Sequence, residues 1–302
     1  MAKEIKAIRG IIPVLPTPFT KDDEINYEVY GQLLDYVIEN GVHAVVVAGT
    51  TGEYSTMTYG ERKQLMKYAI EYVNGRVPVI FGTYAHGSMK KTMELTAYAS
   101  ELGAYGVLVT TPYYLAPDRK GMYNFYKTLA EANPDLGILI YNVPACTGVA
   151  LDVDQIAEMA KIPNIVSIKD TTDLIHSAKL IKATEGLNFT VATGEENLIL
   201  ADLCIGGSGG IGIISALIPR EIVRIYDLVV NENNVQAACE LNKKLINFYN
   251  YTEDEPNPAP AKAALNLLGF DFGVPRLPIL PASDEMVEKL RGELKALGYD
   301  DK

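Results

Sequence analysis

Lys169 closes the apolar run Ile165-Val166-Ser167-Ile168. A lysine placed there carries its ammonium to the rim of an apolar element, where lost hydration lowers an amine's pKa toward the range in which it is a nucleophile. Tyr141 closes a second apolar run, 137–140, and a phenol so placed passes a proton to and from an alkoxide when a hydroxyl partner holds it. Thr50 and Thr51 offer such hydroxyls. They lie in Gly49-Thr50-Thr51-Gly52-Glu53, where the turn through Gly49 and Gly52 exposes successive backbone N–H groups able to cradle a carboxylate. Taken singly, each also fits a plain role: a snorkelling lysine, a core tyrosine, an ordinary loop.

Other chemistry-bearing residues are dispersed. His43, His86 and His176 form no pair at i, i+4 and have no acidic cluster beside them, so no bound metal is expected. Cys146, Cys204 and Cys239 are an odd number at irregular spacing, against a disulfide framework or a structural zinc, and Cys204 and Cys239 are expected to be buried as small hydrophobes. The segment Gly206-Gly207-Ser208-Gly209-Gly210-Ile211-Gly212 contains Gly-x-Gly-x-x-Gly, yet its glycines lead into an apolar run. A dinucleotide fingerprint follows a strand and opens a helix, so this segment instead predicts a tight strand entry, with the Ile211 backbone approaching whatever fills the site.

The elements that must position these residues are legible from periodicity. Apolar, β-rich runs fall at 12–15, 44–48, 79–81, 106–109, 137–141, 165–169, 189–192 and 210–214. They are apolar at consecutive positions, as strands buried on both faces are. Helix-periodic stretches such as 27–40 and 59–73 lie between them. Such alternation predicts an α/β chain folded as a (β/α)8 TIM barrel over residues 1–218, followed by a C-terminal helical appendage of the same domain over 219–302, with helices at 220–230, 234–251, 260–268 and 284–297. The proline-rich stretch 253–260 is read as a rigid break. Because sites in this fold sit at the C-terminal strand ends, Thr50 and Thr51, Tyr141 and Lys169 are expected to converge there.

Composition agrees. The chain of 302 residues carries 27 Lys plus Arg against 38 Asp plus Glu, a net charge of -11, and no basic segment that would track phosphates, so nucleic acid is not an expected partner. Residues 1–10 hold Lys3, Glu4, Lys6 and Arg9 without a leader's apolar stretch, and no run approaches the ~20 apolar residues that span a bilayer. A cytoplasmic protein without membrane contact is expected.

In combination these segments resemble the dihydrodipicolinate synthase / N-acetylneuraminate lyase family of Schiff-base-forming pyruvate enzymes. The resemblance covers nearly the whole chain: Gly49 to Glu53, Thr111-Pro112-Tyr113-Tyr114, Tyr141-Asn142-Val143-Pro144, Ile168-Lys169-Asp170, Gly206-Gly207 to Ile211, and Glu255-Pro256-Asn257-Pro258. It implies that Lys169 attacks the keto carbon of pyruvate, or of a pyruvoyl-ended sugar acid, to form an imine that acts as an electron sink. It further implies that Tyr141 shuttles protons, connected through Thr50 or Thr51 to Tyr114 of a neighbouring subunit, and that Thr51 with nearby N–H groups, Gly52 included, holds the carboxylate. A homotetramer built from dimers, without metal or organic cofactor, is implied as well.

One departure bears on the second substrate. Family members that condense pyruvate with aspartate semialdehyde resemble Tyr-Asn-Val-Pro-Ser-Arg-Thr-Gly, whereas this chain has Ala145-Cys146 before Thr147-Gly148. The arginine that would grip a carboxylate is missing, and Cys146 is read as a small lining residue. Likewise Tyr59, Arg62 and Lys90 stand where the resemblance puts a lysine-feedback pocket, so that feedback is not expected. The leading expectation is therefore a lyase that reversibly cleaves a 2-keto-3-deoxy sugar acid to pyruvate and an aldehyde, with Thr171, Glu196 and Asn197 recognising hydroxyls. The synthase reaction on aspartate semialdehyde and a non-catalytic pyruvate-binding barrel are the alternatives.

Overall fold

The computed structural model describes residues 5–85 and 87–299; His86 lies outside them. Eight parallel strands run β1 (Gly10–Pro13), β2 (Val45–Val47), β3 (Val79–Gly82), β4 (Gly106–Thr110), β5 (Gly137–Asn142), β6 (Ile165–Asp170), β7 (Thr190–Thr193) and β8 (Gly209–Gly212). They form one sheet in the order β1-β8-β7-β6-β5-β4-β3-β2. The remaining seam, between β1 and β2, is spanned by the bridge Val14↔Val46 and by Leu15 N–H donating to the Val46 carbonyl at 2.9 Å. This is a nearly closed (β/α)8 barrel with further helices at the C-terminus.

The strands coincide with the apolar runs because each is buried on both faces. Val14, Val46, Ile80, Leu108, Leu139 and Ile211 fill the barrel interior, while Ile11, Val45, Phe81, Val107, Ile140 and Ile168 pack outward against the helices. Of the glycines that lead into β8, Gly209 has φ +129°, and a Cβ there would meet the Gly10 carbonyl oxygen at 2.1 Å. That close approach of two backbones is what joins β8 to β1, which accounts for the glycine-rich segment without a nucleotide.

Capping residues set the helix starts that periodicity locates. Thr58 and Glu61 make reciprocal bonds at the start of Tyr59–Val73, and Asp173 accepts from the Ile175 and His176 N–H groups at the start of Leu174–Ala183. Beyond β8 lie Pro219–Val230, Val235–Glu253, Ala259–Leu267 and Asp284–Ala296. The first of these packs against β1 and the helix Ile199–Cys204. Cys204, at the end of that helix, is exposed, and Cys239, on Val235–Glu253, is partly exposed, so neither is the buried small hydrophobe expected. Both fall on helix faces turned away from the core.

The C-terminal helices grip the barrel through charge. Lys262 and Glu53 are 1% and 3% exposed in their side chains and pair at 2.6 Å. The Lys262 ammonium also donates to the Val274 carbonyl at 3.1 Å and lies 4.2 Å from the Phe19 ring centroid. Burial pushes its pKa down to about 8 even though Glu53 pulls the other way. Lys262→Met leaves a buried carboxylate uncompensated and is expected to cost about 3–5 kcal/mol, whereas Lys262→Met with Glu53→Gln recovers most of it. Denaturant unfolding of the two variants measures the difference.

Among the described residues no helix is long and apolar enough to cross a membrane, and no group of three or more His, Cys, Asp and Glu is placed to hold a metal ion.

Candidate active site

Tyr141 and Lys169 are direct cross-strand neighbours at the ends of β5 and β6. Both point into the barrel mouth, with the Lys169 Nζ 5.5 Å from the Tyr141 ring centroid. The walls desolvate Lys169 and hold its pKa below the ordinary lysine value, opposed by the carboxylates of Glu196 and Glu195. Tyr141 is 4% exposed, and its hydroxyl lies 3.0 Å from Thr50 Oγ1, a pair in which either oxygen donates. Burial pushes the phenol's pKa well up, so Tyr141 stays a neutral O–H at neutral pH.

The turn after β2 places Thr50 and Thr51 side by side on the wall. Thr51 is buried, and its Oγ1 accepts from Asn257 Nδ2 at 3.3 Å. Gly52 sits behind the wall: its carbonyl accepts from Thr17 Oγ1 at 2.8 Å, and a Cβ on it would meet the Leu15 carbonyl oxygen at 3.0 Å. It shapes the turn and does not face the opening.

Between these groups lies a cavity of about 550 Å3, large enough for two small substrates. Thr50, Thr51, Tyr141, Cys146, Lys169 and Thr171 line one side; Thr252 to Asn257 line the other. Among the described lining residues Lys169 is the only cation, against Glu195, Glu253, Asp254 and Glu255. The stretch read as a rigid break is thus a wall of the site. Its only sequence signal is the resemblance at Glu255-Pro256-Asn257-Pro258.

Other expected residues lie elsewhere. Glu196 is buried behind Lys169, its carboxylate accepting from the backbone N–H groups of Ile214 and Ser215, the latter at 2.8 Å. It holds the chain after β8 and is not offered to a substrate hydroxyl. Asn197 shares the short 3-10 turn Glu196–Leu198 and is absent from the cavity wall. Ile211 is fully buried in the barrel interior, where Gly212 and Ile213 take the lining place given to it. Tyr114, at φ +67°, is 94% exposed beside Leu115, on a separate apolar groove with Met89, Pro112 and Phe125. Arg62 donates to the Gly82 and Tyr84 carbonyls at 2.8 and 3.0 Å, a structural assignment.

A desolvated lysine at the end of β6, with a phenol and a hydroxyl in one barrel mouth, defines a class I lyase that works through a lysine Schiff base. The model of the Dihydrodipicolinate synthetase family matches residues 7–297, and the chain belongs to that family of pyruvate-dependent enzymes. It is 39% identical over 294 residues to the 4-hydroxy-tetrahydrodipicolinate synthase of Thermotoga sp. (strain RQ2), covering 96% of this chain and 99% of that one. It is 36% identical over 285 residues to the enzyme of that name from Oceanobacillus iheyensis, covering 94% and 95%. Among solved structures, dihydrodipicolinate synthase from Aquifex aeolicus superposes with a TM-score of 0.93 at 34% identity, covering 98% of this chain and 100% of that one. The chloride-inhibited enzyme from Acinetobacter baumannii, complexed with pyruvate, gives 0.92 at 36% identity, covering 97% and 99%.

Proposed function

We propose that the protein catalyses the 4-hydroxy-tetrahydrodipicolinate synthase reaction, condensing pyruvate with aspartate semialdehyde. This reading, and not the sugar-acid cleavage favoured by the sequence motifs alone, accords with the relatives, which carry that name at 34–39% identity over nearly their whole length. The observation that carries the chemistry is Lys169 and the Tyr141–Thr50 pair opening on one cavity.

In this mechanism the neutral Lys169 amine adds to the keto carbon of pyruvate, and Tyr141 supplies the proton that lets the carbinolamine lose water. The iminium draws electrons from the methyl group, which returns a proton to the Tyr141 oxygen and becomes an enamine carbon. That carbon attacks the aldehyde, and the new alkoxide is protonated through Tyr141 and Thr50. The product's amine, supplied by aspartate semialdehyde, displaces Lys169 from the imine carbon as the ring closes. Thr51, steadied by Asn257, holds the pyruvate carboxylate. Borohydride added with pyruvate tests the first step: the peptide bearing Lys169 gains the mass of one reduced pyruvate, and an unmodified chain leaves only a binding barrel.

A second reading, reversible cleavage of a 2-keto-3-deoxy sugar acid, rests on Ala145-Cys146 and the acidic far wall, which offer no cation for an acceptor's carboxylate. Condensation with aspartate semialdehyde and pyruvate release from 2-keto-3-deoxygluconate, run on one preparation, decide between them. Cys146→Arg is expected to improve KM for a carboxylate-bearing aldehyde by ~10–150-fold, the equivalent of about 1.5–3 kcal/mol for a charge-assisted contact.

The exposed Tyr114–Leu115 edge beside an apolar groove supports a subunit contact in which Tyr114 joins a neighbour's site within a dimer of dimers. The free cysteines fit a reducing, cytoplasmic location.

A further inference from the structure

The alternation that points Tyr141 and Lys169 into the barrel points the next residues, Asn142 and Asp170, outward to the helix layer. These two are also cross-strand partners, 0% and 2% exposed. Asn142 Nδ2 donates to Asp170 Oδ1 at 2.8 Å, and Asn142 Oδ1 accepts from the Leu151 N–H at 3.0 Å. The other Asp170 oxygen accepts from Thr172 Oγ1 at 2.8 Å and lies 2.8 Å from His176 Nδ1 in the first turn of Leu174–Ala183. The buried carboxylate is thereby fully engaged, and its partners come from β5, from the turn after β6 and from the following helix.

The ladder beneath this cluster is not continuous. Ile138 pairs with Ile165 but Leu139 pairs with Ser167, so the register of β5 and β6 shifts by one residue low in the barrel. A shift of that size decides which face a side chain takes. Above the irregularity, register is carried by the pairs from Leu139 and Ser167 to the strand ends, where the Asn142–Asp170 bond joins side chain to side chain and Thr171 Oγ1 donates to the Asn142 carbonyl at 3.3 Å.

We propose that Asn142 and Asp170 are positioning residues for imine formation: their bond outside the sheet fixes the spacing and orientation of Tyr141 and Lys169 inside it. The proposal rests on the reading that Lys169 forms the imine. Neither residue lines the cavity, so its effect passes through the strand ends. A misplacement of about 1 Å between reacting groups costs up to ~10²-fold in rate, while pyruvate is held largely by the Thr51 turn on another strand.

The experiment is a borohydride quench of imine formation over time and over pyruvate concentration. Asn142→Ala and Asp170→Ala are expected to slow the saturated rate about 10–100-fold with half-saturating pyruvate within ~3-fold. The two losses do not add in the double variant, because both remove the same bond. The exchanged variant Asn142→Asp with Asp170→Asn restores the donor–acceptor pair and brings the rate to within about 3-fold of wild type. Should Asp170→Ala fail to fold, Asn142→Ala and the exchanged variant carry the test. Wild-type rates in folded single variants overturn the proposal, as does an exchanged variant no better than either single one. A wild-type chain that pyruvate and borohydride leave unmodified removes the imine reading itself, and this proposal with it; trapping in wild type with unchanged variant rates removes only this proposal.

Discussion

Lys169→Ala is expected to abolish pyruvate-dependent borohydride trapping and to lower turnover by at least about 10³-fold, because among the described residues no other amine lines the cavity. Lys169→Arg is expected to fail as completely, since a guanidinium stays protonated and is no nucleophile. The pH dependence follows from the direction of the Lys169 shift. Its pKa is lowered by burial, so the free amine is present at pH values where an exposed lysine is charged, and imine formation falls as pH drops through that lowered value. Stability moves in the same direction. Between the folded and unfolded pKa values the unfolded chain binds more protons, so folding strengthens as pH rises through that window. Lys169→Met removes the cost of burying the charge and is expected to melt no lower than wild type at neutral pH. A variant that still turns over, or a wild-type trapping profile that tracks free lysine, contradicts the assignment.

Tyr141→Phe is the second large effect. The ring and its packing over Lys169 remain while the hydroxyl that meets Thr50 is lost. Removing a positioned proton donor is expected to lower kcat about 10²- to 10⁴-fold. KM for pyruvate is expected to change little, because the proposed carboxylate cradle is the Thr51 turn and not the phenol. Trapping slows without disappearing, since the nucleophile is intact, which separates this variant from Lys169→Ala. Because burial keeps the phenol protonated, the wild-type profile should carry no limb that Tyr141→Phe removes. Loss of pyruvate binding in place of turnover would reassign Tyr141 to substrate holding.

These two residues were legible in the sequence for the reason the barrel was. A strand buried on both faces writes a nearly unbroken apolar run, and the polar residues at its C-terminal end stand at the mouth. Lys169, Tyr141, Thr50 and Thr51 all obey that rule. Glu196 and Asn197 do not, because they follow β7 in a short turn whose side-chain directions no periodicity sets; Glu196 is turned under β8 to satisfy two backbone N–H groups. The wall from Thr252 to Asn257 was hidden for another reason: its contact with Thr51 joins segments far apart in the chain, through an amide and a bend that read locally as punctuation. Acceptor preference divides the same way. The relatives carry the synthase name, and Cys146 is where this chain offers no cation for the carboxylate of the proposed acceptor.

That far wall also has a consequence for how the protein comes into being. During synthesis all eight strands leave the ribosome before Asn257 and Lys262 do, because both residues follow β8 in the chain. The proposed pyruvate seat, Thr51 steadied by Asn257, therefore ties the turn after β2 to a segment made only after every strand of the barrel.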